Sequence, residues 1–94
     1  MSGEKLLTNT IAVREVSYVV REINGRHMRE VRKRLKDSPE TIEAYLAWAC
    51  TVSPPFASES AAADEAHAVL KALSEEAFRL SAPISAEEGA AKNA

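Results

Sequence analysis

Val19-Val20-Arg21-Glu22-Ile23-Asn24-Gly25-Arg26, followed without a gap by Met28-x-x-Val31-x-x-x-Leu35, decides how this chain is read. A β-branched run meets an Asn-Gly turn signal. The hydrophobic period then passes from about two to about 3.6, as it does where a strand hands over to a helix. Asn24 carries a side-chain oxygen that caps a helix, and Gly25 lets the chain turn. The spacing predicts a first helix over about 26–36, with Met28, Val31 and Leu35 as a narrow apolar stripe. Arg26, Arg29, Arg32, Lys33, Arg34 and Lys36 cover the rest of its surface.

Upstream, Ile11, Val13, Val16, Val19, Val20 and Ile23 make residues 10–23 dense in β-branched side chains. Val16, Tyr18 and Val20 alternate with Ser17, Val19 and Arg21, which suits a strand. The same stretch also offers a 3-4-3 spacing at Val13, Val16, Val20 and Ile23. Strand is preferred over helix because β-branched residues lose rotamer freedom in helices. One strand and two strands both remain open, since no clear hairpin turn divides the segment. Residues 1–9 are polar and read as a loose terminus.

Downstream, Asp37-Ser38-Pro39-Glu40 is the strongest local signal. Ser38 caps, Pro39 fits the first helical position, and Glu40 complements the positive end of the macrodipole. The second helix is expected to reach about Val52. It is apolar on most of its surface, through Ile42, Tyr45, Leu46, Ala49 and Val52 on one side and Ala44, Ala47 and Trp48 on another. Such a helix sits centrally or meets a partner. Ser53-Pro54-Pro55-Phe56 breaks it. A long third helix is expected over about 58–81, with Ala62, Ala66, Val69, Leu70, Leu73, Ala77 and Leu80 in the 3.6 period. Pro83 stops it, and residues 84–94 read as a disordered tail.

The expected fold is therefore mainly α, in the α+β sense. A short N-terminal β element precedes three helices, the last two an antiparallel pair. Residues 1–83 form one small domain. At 94 residues the core margin is thin, so a partner or self-association fits the size. Much of the apolar fraction of 46% is alanine, so large core side chains are few.

The bulk properties exclude more than they assign. One cysteine allows neither an internal disulfide nor a cysteine-based metal cluster. No apolar run has the length of a membrane span, and the first residues lack a secretory pattern, so a cytoplasmic protein is expected. The net charge of −2 conceals an asymmetry. Residues 1–36 carry nine Lys/Arg and four Asp/Glu, while 37–94 carry three and ten. Opposite halves can attract within the fold, between copies, or toward different partners.

No catalytic, cofactor or metal residues are assigned, and no enzymatic activity is expected. Asp64 and His67 lie one helical turn apart, but a zinc site normally needs a third protein ligand. His27 and His67 are read as solvated. Cys50 lies among Ala47, Trp48 and Ala49, which suggests a core thiol instead of a nucleophile. Ser58 and Ser60 precede acidic residues at a helix start, where capping accounts for them. Glu75 and Glu76 belong to a charged helix face. The three glycines, at 3, 25 and 89, form no phosphate loop.

The cations from Arg26 to Lys36 are the one electrostatic candidate, giving a small nucleic-acid-binding regulator as the alternative function. Nucleic acid is nonetheless not the expected partner. No aromatic interleaves these cations, no matching helix-turn-helix partner precedes them, and the whole chain is acidic. A small antitoxin-like protein is a third reading. Tyr45, Trp48 and Phe56 are the aromatics to place. Tyr45 or Trp48 is expected in the core, and Phe56 follows two prolines in a loop.

The order of elements resembles that of the small tail assembly chaperones of long-tailed bacteriophages and related prophages. The phrase Arg21-Glu22-Ile23-Asn24-Gly25-Arg26 stands where that family ends its β segment. A charged helix follows, then a central helix closing on Ala49-Cys50-Thr51-Val52-Ser53-Pro54-Pro55. An Ala-rich helix ends on Leu73-Ser74-x-x-Ala77-Phe78-x-Leu80-Ser81. The likeness covers residues 11–81. It implies a non-enzymatic protein of the bacterial host cytoplasm that binds the hydrophobic tape measure protein and keeps it soluble. The tail tube protein is a second implied partner. Some genes of this family make a longer form by frameshifting. Ala91-Lys92-Asn93 can be encoded with a slippery heptamer, so the resemblance implies that run and an overlapping downstream frame.

Overall fold

The computed structural model describes residues 6–81. The β-branched N-terminal segment forms two strands, β1 (Thr8–Val13) and β2 (Val16–Arg21), paired antiparallel from Thr8 opposite Arg21 to Val13 opposite Val16. Strand, rather than helix, is the outcome, and β1 begins two residues inside the stretch expected to be loose. Pairing extends past the strand, where the Glu22 amide donates to the Leu7 carbonyl (2.8 Å). Residues 1–5 lie outside the described residues.

The turn between the strands escaped the sequence because it lacks the usual residues. Arg14 and Glu15 both have positive φ, 51° and 73°. Two consecutive left-handed residues match the right-handed twist of a tight hairpin, a conformation that Asn-Gly adopts with far less strain. The strand ladder holds two ordinary side chains there, at roughly 1 kcal/mol each. Replacing the pair by Asn-Gly (R14N with E15G) is expected to stabilise the domain by about 1 kcal/mol. Urea unfolding checks this: the midpoint should rise with an unchanged slope. A lower midpoint would show that Arg14 or Glu15 contributes something the turn geometry does not reveal.

The alternation along β2 aims Tyr18 and Val20 into the core, where both are buried. The other edge of β2 is covered by β3 (Thr51–Ser53), giving the order β1-β2-β3 with a bulge near Val19 and Val20. This corrects the expected length of the second helix. That helix, α2 (Ile42–Cys50), ends two residues before Val52. Thr51 and Val52 are β-branched, and the free edge of β2 offers backbone groups that need partners.

The first helix, α1 (Gly25–Asp37), begins as read, with Asn24 Oδ1 accepting the His27 amide (2.8 Å). Ser38 caps nothing with its hydroxyl. Its carbonyl instead accepts the Thr41 amide (3.0 Å) and the Thr41 hydroxyl (2.8 Å), closing a 3-10 turn over Pro39–Thr41.

The expected third helix is two helices, α3 (Glu59–Ala63) and α4 (His67–Ser81). Ser58 Oγ caps α3 by accepting the Ala61 amide (3.0 Å). At the break, the Asp64 and Glu65 amides donate to the Ala61 and Ala62 carbonyls, and Glu65 Oε1 accepts the Ala66 amide (2.9 Å). No glycine or proline marks this corner, and the apolar period runs straight through it.

The fold is thus mainly α behind a short antiparallel sheet, with α2 packed against α4. Leu46, Ala47, Cys50, Ala62, Leu73 and Ala77 are within 1% of complete burial and mark the centre. α4 is also tied to the β2–α1 junction. Ser81 Oγ accepts the Ile23 amide (2.7 Å) and donates to the Ala77 carbonyl (2.6 Å). Pro83 and the tail at 84–94 lie outside the described residues.

Candidate functional site

α1 presents two different flanks, because its apolar and basic residues recur at helical spacing on separate faces. Val31 is its one buried residue. Along the apolar flank runs an open groove of about 560 Å³. Met28, Val31 and Leu35 form one wall. Pro39, Ile42 and Phe78, from the 3-10 turn, α2 and α4, complete it, and Arg32, Glu40 and Glu43 add polar groups to its lining. Leu35 is 59% exposed and Phe78 38%. The stripe that announced α1 is therefore only partly covered by the fold.

The other flank opens on a second groove of about 480 Å³, where Arg26, Arg29 and Lys33 of α1 face Tyr45 and Trp48 of α2, with Glu30 between. Tyr45 is buried, while Trp48 is 39% exposed with its ring 6.0 Å from that of Tyr45. The core position belongs to Tyr45, and Trp48 stands at the surface. Phe56 is half-buried and packs against the core.

Arg34 separates itself from the other five cations of α1. Its guanidinium donates to both oxygens of Glu59 (2.6 and 3.0 Å), to Glu30 (2.7 Å) and to Thr41 Oγ1 (3.2 Å). It also lies over the Tyr45 ring, 4.3 Å from its centroid. The Glu59 carboxylate, and then Glu30, keep Arg34 more firmly protonated than an ordinary arginine. In return the hydrogen bond from Arg34 holds Glu30 below the usual carboxylate range. Arg34 is a clasp between α1, the 3-10 turn and α3, and is not available to a ligand as the sequence suggested.

The other candidates sort by environment. Cys50 is wholly buried, and desolvation pushes its thiol up to about 11, so it stays protonated and poorly nucleophilic at neutral pH. His27 is not solvated, as both histidines were expected to be. It is half-buried edge-on to Tyr45, at 6.1 Å between ring centroids. Burial, then the charges of Arg21 and Arg26, lower its pKa and keep the ring neutral at neutral pH. Among the described residues its Nδ1 is buried without a hydrogen bond, as are Arg21 Nε and Thr51 Oγ1. Arg21 reaches the Ala49 carbonyl through Nη2 (2.9 Å).

His67 is exposed and meets Glu43 (2.9 Å), on α2, rather than Asp64. Ser58 is the α3 cap, and Ser60 is exposed. Glu75 pairs with Lys71, and Glu76 accepts from Asn9 and Arg79, with the Arg79 contact lowering its pKa. Among the described residues no three His, Cys, Asp or Glu side chains gather in a metal-binding group. Among the same residues no helix is long and apolar enough to cross a membrane.

Phe78 is the surface residue that sequence reasoning left unassigned. A signal existed: it is the one large apolar side chain of α4 that falls outside the Leu73, Ala77, Leu80 stripe. Trp48 carried a weaker signal, since α2 is apolar nearly all round and periodicity cannot choose its buried face.

No family model matches this chain, and no curated protein or solved structure matches it.

Proposed function

We propose that this protein is a non-enzymatic chaperone of the phage tail assembly type, which holds a hydrophobic helical client, the tape measure protein, until the tail tube forms around it. The observation that carries this reading is the open groove between α1 and Phe78, where Leu35 and Phe78 stay exposed among the described residues and Met28 is only half-buried. A groove walled by a helix suits the apolar face of a second helix, read out as anchors at i, i+3 or i+4, and i+7. Many copies bound along one long client would gain avidity without any single contact being strong. The bacterial host cytoplasm is the setting this role requires. Neighbouring genes for a major tail protein and a very long helical reading frame would support it.

Co-expression with a tape measure protein is the direct test. The client should become soluble and co-purify with the wild-type chain, and both effects should disappear with L35S combined with F78S. Both side chains are substantially exposed, so this variant should lose no more than about 1 kcal/mol of stability. Unchanged client solubility alongside the wild-type chain would end the proposal.

A further inference from the structure

The groove on the basic flank of α1 has a composition that the apolar groove lacks. Arg26, Arg29 and Lys33 follow one another at i, i+3 and i+7, and span about 10 Å of helix. None of them has an ion-pair partner among the described residues, where Arg34 alone of the α1 cations is paired. Glu30, the one carboxylate in the groove among the described residues, is already held by Arg34 at 2.7 Å. Facing this row is Trp48, tilted against Tyr45 and 39% exposed.

A surface tryptophan beside unpaired cations calls for an occupant that is both flat and anionic. The sequence argued against such an occupant because no aromatic interleaves the α1 cations. The fold removes that objection by bringing the aromatic from α2. The acidic second half of the chain is a weaker objection than its net charge suggests. Among the described residues none of its carboxylates lines this groove, and of Asp37 and Glu59, which share the adjoining hollow with Lys33, Glu59 is already held by Arg34.

We propose that the Arg26, Arg29, Lys33 and Trp48 groove binds single-stranded nucleic acid, with a base stacked on Trp48 and the neighbouring phosphates on the three cations. Stacking on an aromatic is sequence-tolerant, and a cationic row follows a backbone, so the site reads strandedness more than sequence. The site is separate from the groove offered to the helical client, and the two proposals stand or fall separately.

Trp48 is the only tryptophan in the chain, so fluorescence excited at the red edge of its absorption, beyond that of tyrosine, reports this groove alone. The full chain is titrated with an oligothymidylate of about twelve nucleotides, within the site size of single-strand binders. Quenching of Trp48 is expected at low salt, with affinity falling as log salt rises at a slope of about −2, for three phosphate contacts on a single strand. By anisotropy of a labelled oligonucleotide, W48A should weaken binding roughly tenfold and leave the salt slope intact. R29E with K33E should abolish binding while the far-ultraviolet spectrum stays unchanged. No quenching at low salt overturns the proposal. Equal binding of heparin or polyglutamate also overturns it, since neither offers a base to stack. Equal binding of thymidine monophosphate overturns it as well, since the strand would then contribute nothing.

Discussion

Leu46→Ala is expected to destabilise the domain by about 3–4 kcal/mol, a large share of its total stability. Leu46 is fully buried in α2, the helix that packs against α3 and α4. Truncation loses the transfer free energy of the removed atoms and leaves a cavity. How much of that cavity closes depends on the neighbours. Here the buried set is rich in Ala44, Ala47, Ala62 and Ala77, whose short side chains cannot reach into the space. The cost should therefore fall in the upper half of the range for such changes. A domain of this size holds roughly 5–10 kcal/mol in total. Urea unfolding should show a lower midpoint with an unchanged slope, and a loss below about 1 kcal/mol would mean that the core repacks more freely than its composition implies.

Arg34→Ala is expected to cost about 2–3 kcal/mol, far more than removing any other cation of α1. The substitution removes a bidentate pair with Glu59, a pair with Glu30, a hydrogen bond to Thr41 and the contact over Tyr45. It also strands Glu59 and Glu30 in partly buried positions. A fully buried pair broken this way costs roughly 3–5 kcal/mol. The side chains here are 18% exposed for Arg34, 31% for Glu59 and 34% for Glu30, so solvent screening lowers the figure. Arg34→Lys should recover less than half of the loss, because an ammonium group cannot form the fork on Glu59 or lie flat over Tyr45. Arg29→Ala is the control, exposed and without an ion pair among the described residues, with an expected change within about 0.5 kcal/mol. Thermal or urea melts of the three variants check the series. Equal effects at positions 29 and 34 would refute the division of labour drawn along α1.

The same helix shows what a sequence can and cannot disclose. α1 was legible to within a residue at each end because Asn24 and the Met28, Val31, Leu35 period are local signals. The strands were legible from β-branching, but their turn was not, because Arg14 and Glu15 adopt left-handed backbone without the residues that usually mark it. β3 was hidden because Thr51-Val52-Ser53 becomes a strand only in answer to the open edge of β2. The corner at Asp64–Ala66 was hidden because periodicity continues across it while the Glu65 carboxylate takes the Ala66 amide and interrupts the helix. Of the two grooves, only the individual residues could be read. Trp48 and Arg29 are separated by a loop and a turn in the sequence, and their meeting depends on how α1 and α2 cross. Arg34 looked like its neighbours until Glu59, 25 positions away, was brought to it.

One wall serves two rooms in this molecule. α1 bounds the Phe78 groove on one side and the Trp48 groove on the other, and it rests on the core through Val31. An occupant that tilts this helix to widen one space necessarily redraws the other. Whatever free energy the first guest spends in moving the wall is returned to, or withheld from, the second, and by reciprocity the effect is equal in both directions. The clasp at Arg34 sets how stiff that wall is.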